Sequence, residues 1–365
     1  MTKRRAILNA KTWARVQKYT ELQGTSGQEQ TIRKAFRDEL LPLVDDIKQD
    51  GLGGVFGVKN NSDLHAPRVM FAAHMDEVGF IVTNVLPNGT LKVAAVGGWN
   101  PTVISSQRFT LFTTNGAYPI VSSSVSPHLL RGRDSQITLP TVDDILFDAG
   151  FVDQAEAHAF GVFPGDFIVP EVATIMTANK KRVISKAWDN RFGMVTILEA
   201  LDALKDVQTP NTLIMGADVQ EEVGLRGAHG AVNLMKPDVF FAIDSSAADD
   251  VNGSVGRQGI LDQGTLLRVF DPTVVLPLRL KEFLLSTAED NHIPYQYFVS
   301  KGGTDAAAAQ SERTGIPSVA LGVASRYIHT HQTIWSISDF EAAKDFVIAI
   351  AKNLDETNLK TILGD

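Results

Sequence analysis

Apolar runs of strand length that end in a histidine or an acid constrain this chain more than any other feature. "RVMFAA" leads into His74, "TLIMGADV" into Glu221 and Glu222, and "DVFFAI" into Asp244, while His329 follows shortly after "PSVALGV". Such runs read as buried strands. Between them, in "GMVTILEALDALK", Val195, Leu198, Leu201 and Leu204 recur at spacings of three, which predicts a helix burying one face. Strand and helix then alternate through "TLLRVF", a helix around "PLRLKEFLLSTAED", "PYQYFVS", a "TDAAAAQSE" helix and a last helix opened by Ser338 and Glu341. The simplest architecture is α/β, a central mixed sheet sandwiched by helices.

The first sixty residues predict a helix, then a second one opened by the S-x-x-E pair Ser26 and Glu29, then strands at "DDIKQD" and "GVFGVKN". From about residue 84 to 176 the texture changes to short alternating segments such as "RFTLFTTNGAYPIVSSSV", with one short helix near "VDQAEAHAFG". This predicts a small all-β, barrel-like domain set inside the chain, dividing it into residues 1–83 and 177–365 on one side and 84–176 on the other.

A chain of 365 residues with 44% hydrophobic content supports a sizeable core. Its formal charge of -8 provides no broad positive field, so nucleic acid is not an expected partner. No cysteine is present, which excludes disulfides, thiolate metal sites and a cysteine nucleophile. Any metal must be held by His, Asp and Glu. The basic opening "MTKRRAILNAKTWARVQ" lacks an apolar signal core, and no segment has the roughly 18 apolar residues of a membrane span. The expectation is a cytoplasmic protein without membrane contact.

In an open α/β sheet, reacting groups gather beyond the carboxyl ends of the strands, so His74, Glu221, Glu222, Asp244 and His329 become plausible neighbours. Asp189, in "SKAWDNRFG" just ahead of the amphipathic helix, can reach the same crevice. Singly, each has a plainer reading: a strand-end histidine is ordinarily a hydrogen-bonded core residue, "EE" a solvated pair, and Asp244 before "SS" a turn residue. Together they resist it, because burying several carboxylates side by side without cations is too costly. Two histidines, one glutamate and two aspartates are too acidic for one zinc ion and suit two divalent cations sharing a bridging carboxylate.

The segments "AAHMDEVGFIV", "AWDNRFG", "QEEVGLRGA", "AIDSS", "GGTDA" and "RYIHT" occur in an order and spacing that resembles the tetrahedral aminopeptidase family of dinuclear metallopeptidases, closest to its bacterial glutamyl aminopeptidase branch. The resemblance covers nearly the whole chain. It implies that Asp189 bridges two metals, that Glu222 and His329 complete one site, and that His74 and Asp244 complete the other. His331 in "IHTH" is the alternative to His329. By the same resemblance Asp76 hydrogen-bonds the ligand imidazole and fixes its tautomer, and Glu221 is the general base.

The activity implied is release of N-terminal residues, Glu or Asp, from short peptides, with zinc, cobalt or manganese as the metal. An acidic substrate side chain needs a cation, for which Lys301 and Arg257 are the candidates. The inserted domain is expected to mediate dimer contacts, and six dimers to build a dodecamer. Competing expectations are an aminopeptidase of leucyl or lysyl type, another dinuclear amide hydrolase such as a deacylase, and a non-catalytic peptide-binding scaffold. His65, His128, His158, His229 and His292 are read as structural or surface residues.

Overall fold

The four apolar runs are adjacent parallel strands. In the computed structural model, which describes residues 8–130, 139–251 and 256–364, the strands lie in the order Thr212–Asp218, Arg68–His74, Val239–Ala247 and Ser318–Arg326. Antiparallel strands extend both edges: Val55–Lys59 and Asp46–Gln49 on one side, Thr333–Ser336, Arg182–Ser185 and Ile175–Met176 on the other. Thr265–Phe270 branches antiparallel from Ser318–Arg326 and pairs in parallel with Tyr295–Val299. The sheet is therefore mixed.

Both faces of the central strands are covered, which is why their sequences do not alternate. Val69, Phe71 and Ala73 join a core with the helices Trp188–Leu204 and Ile337–Asn353. Met70 and Ala72 belong to a second core with the helices Arg226–Met235 and Asp305–Ser311. Each of the larger buried side chains, Val69, Phe71 and Met70, contributes ~1.5–3 kcal/mol relative to exposure. Val195, Leu198, Leu201 and Leu204 are buried as expected, but so are Thr196, Ile197 and Ala200. The helix buries more than one face because the helices Ala10–Glu21 and Ile337–Asn353 also pack against it.

Two predicted capping boxes do not form. The helix Gln30–Leu40 starts without a side-chain cap, since Ser26 Oγ donates to Asp76 Oδ2 at 2.6 Å and Glu29 Oε1 accepts from the N–H of Gly27 at 2.8 Å. The helix Ile337–Asn353 begins ahead of Ser338, whose hydroxyl pairs with that of Ser336 at 2.9 Å, and Glu341 binds Lys344. A further helix, Glu356–Leu363, follows, capped by Asp355. In each failed case a stronger partner competes for the side chain.

The inserted segment contains a closed barrel, in the order Gly79–Val85, Leu91–Val96, Phe147–Asp148, Gly116–Ser122, Arg108–Thr113 and Phe167–Pro170. Its first strand starts at Gly79, ahead of residue 84, because Phe80 and Val82 already point into the barrel core with Phe109, Phe147 and Ile168. The helix Gln154–Ala159 lies in this segment, N-capped by Asp153.

Candidate active site

Parallel strands share one carboxyl edge, and His74, the last residue of Arg68–His74, stands on it. Asp218 ends the neighbouring strand opposite His74, and the chain then turns through Glu221 and Glu222 into the helix Arg226–Met235. Asp244 lies in the next strand, and His329 is carried back over the edge by a loop in which Tyr327 and His329 adopt left-handed φ values of 62° and 57°. Asp189 lies near the start of Trp188–Leu204, entered through Ala187 at φ 51°, at a kink where its own backbone is not helical (φ -83°, ψ 105°). One turn on, a Cβ at Gly193 would sit 2.3 Å from the Ile243 carbonyl and 2.6 Å from the Ala73 Cβ. Glycine there lets the helix rest on the two strands that carry His74 and Asp244.

Asp189 reaches both histidines. Its Oδ1 is 3.2 Å from His74 Nε2 and its Oδ2 is 3.4 Å from His329 Nε2. His329 Nε2 is also 3.5 Å from Glu222 Oε1, and His74 Nε2 is 3.8 Å from both Asp244 Oδ1 and Glu221 Oε2. One donor atom each from His74, Asp189 and Glu222 lies within 4.8 Å of the others, and so does one each from His74, Glu221 and Asp244. His329 Nδ1 is 2.7 Å from the carbonyl of Gly98, in the loop that leaves the barrel strand Leu91–Val96. Donating there leaves Nε2 as a lone-pair donor toward Asp189 and Glu222.

The charges are unbalanced without cations. Burial pushes Glu222 up to about 8 against the pull of His329, with Asp189 adding repulsion. Burial, then Asp189, pushes Asp244 up to about 7. Glu221 is raised well above the carboxylate range, first by burial and then, against His74, by Asp305, Asp244 and Glu222. Burial opposes charge on His329, but Asp189 and Glu222 raise it to about 10, and Asp189 itself is held low by His329 and His74 despite burial. Glu222 Oε1 is buried with no hydrogen-bond partner. Two imidazoles, a carboxylate with one oxygen toward each of them, and further acids whose charges need offsetting are a donor set that fits divalent cations.

Asp76 is fully buried beside this edge. Its backbone carbonyl is the nearest partner of His74 Nδ1, at 3.1 Å, while its carboxylate lies 3.5 Å from that nitrogen. The carboxylate oxygens accept the N–H groups of Glu221 and Glu222 at 3.1 and 3.2 Å. His331 lies elsewhere, buried against Phe109 and Trp99 with ring centroids 4.4 and 5.8 Å away, and burial lowers it to about 4. His158 hydrogen-bonds Val162, and His229 pairs with Glu312 on the surface.

A cleft of 520 Å³ opens over the acids, lined by Asp189, Glu221, Glu222, Asp244, His329 and, on its far wall, Phe298 and Lys301. Arg257 is exposed and does not line it, although its neighbours Gly256 and Gln258 do. Sequence reasoning missed Arg268, a buried cation on the same wall that donates to Ser246 Oγ at 2.8 Å and the Gly302 carbonyl at 3.1 Å and faces Phe298. A charge inside the apolar strand "TLLRVF" was the signal. It also missed Asp218 beside Asp305, two fully buried carboxyls that burial pushes well above the usual range.

The chain is similar to known aminopeptidases over nearly its whole length. A family model described as M42 glutamyl aminopeptidase matches residues 53–346. The glutamyl aminopeptidase of Lactococcus lactis subsp. cremoris is 47% identical over 349 residues, covering 95% of this chain and 98% of the relative. A TET aminopeptidase from a marine sediment Thaumarchaeota archaeon superposes with a TM-score of 0.92 at 33% identity, covering 96% of this chain and 99% of its own. The TET1 peptidase of Pyrococcus horikoshii, which can assemble into a tetrahedron or a large octahedral shell, superposes at 0.84 with 31% identity, covering 94% and 100%.

Proposed function

The chain belongs to the M42 glutamyl aminopeptidase family, and from that premise we propose that it releases N-terminal glutamate or aspartate from short peptides at a site built for two divalent cations. The observation that carries the site is Asp189, with one oxygen 3.2 Å from His74 and the other 3.4 Å from His329. In this reading Asp189, Glu222 and His329 would hold one cation, and Asp189, His74 and Asp244 the other. Zinc, cobalt and manganese all suit such donors. Bound there, the cations supply Lewis acidity that polarises the scissile carbonyl and acidifies water.

Glu221 acts as the general base. Its carboxylate takes a proton from water as oxygen attacks the carbonyl carbon, and returns that proton to the leaving amine as the C–N bond breaks. The free α-amino group of the substrate binds within the acidic cluster, which limits cleavage to the chain end. Lys301, on the cleft wall, and Arg257, near its rim, are the cations offered to an acidic side chain, while buried Arg268 is paired with Asp271 at 3.3 Å.

We place the enzyme in the cytoplasm; among the described residues no helix is long and apolar enough to cross a membrane. The inserted β domain pairs subunits into dimers, and six dimers close into a dodecamer, in keeping with the tetrahedral assembly of the Pyrococcus horikoshii relative. The test of function is hydrolysis of Glu-, Asp-, Leu- and Lys-anilides alongside their N-acetylated forms. Cleavage of free-amine Glu and Asp substrates supports the reading; preference for Leu or Lys overturns the acidic pocket, release of acetate from the acetylated forms points to a deacylase, and release of aniline from them overturns the free-amine requirement.

A further inference from the structure

The segment "GTSGQE", residues 24–29, has the spacing of a helix start, yet its polar side chains turn away from the helix that follows. Ser26 Oγ donates to Asp76 Oδ2 at 2.6 Å, and Asp76 accepts the Glu221 N–H on Oδ1 at 3.1 Å and the Glu222 N–H on Oδ2 at 3.2 Å. Glu29 Oε1 accepts the Gln220 N–H at 3.3 Å. Three consecutive N–H groups, those of residues 220–222, are thus held by carboxylate oxygens from outside the turn. A left-handed φ of 57° at Gln220 gives the turn the alternating backbone that makes successive N–H groups converge on an anion.

The carbonyls of the same turn are used differently: those of Val219, Gln220 and Glu221 accept N–H groups from the start of the next helix. The Glu221 backbone is therefore fixed from both sides. The segment is itself anchored beside Asp76, because Thr25 bridges Glu77, the Glu77 N–H donates to the Gly24 carbonyl at 3.1 Å, and Lys186 Nζ binds the Glu77 carboxylate at 2.6 Å. All of Ser26's and Glu29's bonds to the site run through Asp76 or Gln220, and neither residue lines the cleft.

We propose that Ser26 and Glu29 are positioning residues that, with Asp76, clamp the Gln220–Glu222 turn so that the Glu221 carboxylate stays within proton-transfer reach of the attacking water. The inference rests on the reading of Glu221 as general base. Proton transfer is sensitive to placement, and a shift of ~1 Å costs up to about 100-fold in rate. Substrate affinity does not depend on that placement in the same way, so the clamp acts on kcat and leaves KM alone.

The test is a kinetic and metal-content comparison of Ser26→Ala, Ser26→Thr, Glu29→Met and Glu29→Gln in the full-length, metal-loaded enzyme. At saturating metal, Ser26→Ala and Glu29→Met are expected to lower kcat by about tenfold with KM unchanged, while Ser26→Thr and Glu29→Gln, which keep a donor or an acceptor, recover most of it. In a Glu221→Gln background Ser26→Ala is expected to cost less than about twofold more, because it works through Glu221. A full additional loss in that background, or wild-type kcat in both Ser26→Ala and Glu29→Met, overturns the clamp while leaving the base assignment intact. Full turnover in Glu221→Gln overturns the base assignment, and the clamp's purpose with it.

Discussion

The imidazole of His329 and the backbone carbonyl of Gly98 lie 2.7 Å apart although 231 residues separate them in the chain. The loop leaving a strand of the inserted barrel thereby orients a histidine of the acidic cluster, so the β segment contributes to the site as well as to any assembly. A Cβ at Gly98 would meet His329 Nδ1 at 3.2 Å, tight enough to push the ring. Gly98→Ala should therefore weaken metal binding about 10- to 100-fold at one of two positions. Metal per subunit against a graded chelator reads this; a titration identical to wild type would exclude the orienting role.

Adjacent Glu221 and Glu222 should separate cleanly. Glu221→Gln is expected to keep two metals and lose about 10²–10⁴-fold in kcat, whereas Glu222→Ala loses metal first and activity as a consequence. Elemental analysis beside turnover distinguishes them. Loss of metal in Glu221→Gln would make Glu221 a ligand, as its 3.8 Å approach to His74 permits.

Removing metal should also unsettle the fold locally. Cations bound only by the native chain stabilise it by ~4 kcal/mol at a thousand times their dissociation constant, and here they also offset repulsion among buried acids. A chelated sample is expected to unfold at a lower Tm and to recover both Tm and activity when zinc, cobalt or manganese is restored. An unchanged Tm would mean that the carboxylates are neutral or separated without metal.

Lys301 lines the cleft and Arg257 does not, so the two candidate cations should differ. A hydrogen bond to a charged group contributes about 1.5–3 kcal/mol, or roughly 10- to 100-fold. Lys301→Met is expected to lower kcat/KM on the Glu-anilide by that factor with little change on the Leu-anilide, and Arg257→Met to do less. Equal losses on both substrates would assign Lys301 a structural part instead.

Away from the site, Asp339 accepts the N–H groups of Asp262 and Gly264, each at 2.8 Å, and burial still lifts it from 3.8 to about 7. A carboxyl that holds its proton more tightly when folded favours the fold at low pH, and this contribution is lost as pH rises from about 4 through 7. At ~1.4 kcal/mol per unit the effect is on the order of a few kcal/mol. Asp339→Asn, which does not titrate, should show a flatter fall in Tm between pH 5 and 8 than wild type. Parallel curves would place the titration elsewhere.

Much of the site was legible because strand and helix periodicity announce which residues stand at strand ends. His74, Glu222, Asp244 and His329 could be gathered before any coordinates, since parallel strands put their carboxyl ends on one edge, and Asp189 joined them from the start of a neighbouring helix. The cap at Ser26 failed because a local pattern cannot reveal a competing partner 50 residues away, here Asp76. Arg268 was passed over because its burial and its place on the cleft wall depend on how Thr265–Phe270 branches from the sheet.

By itself the sequence determined the α/β layering, the inserted β segment and a set of acids and histidines near the strand ends, because side-chain periodicity and burial follow from local order along the chain. Only the tertiary structure decided which oxygen of Asp189 meets which imidazole, that His329 and not His331 joins the cluster, and that Asp76 holds the backbone of Glu221 and Glu222. Those relations join segments far apart in sequence, and their distances of 3 to 4 Å are set by helix packing, glycine contacts and loop closure, none of which leaves a period in the sequence.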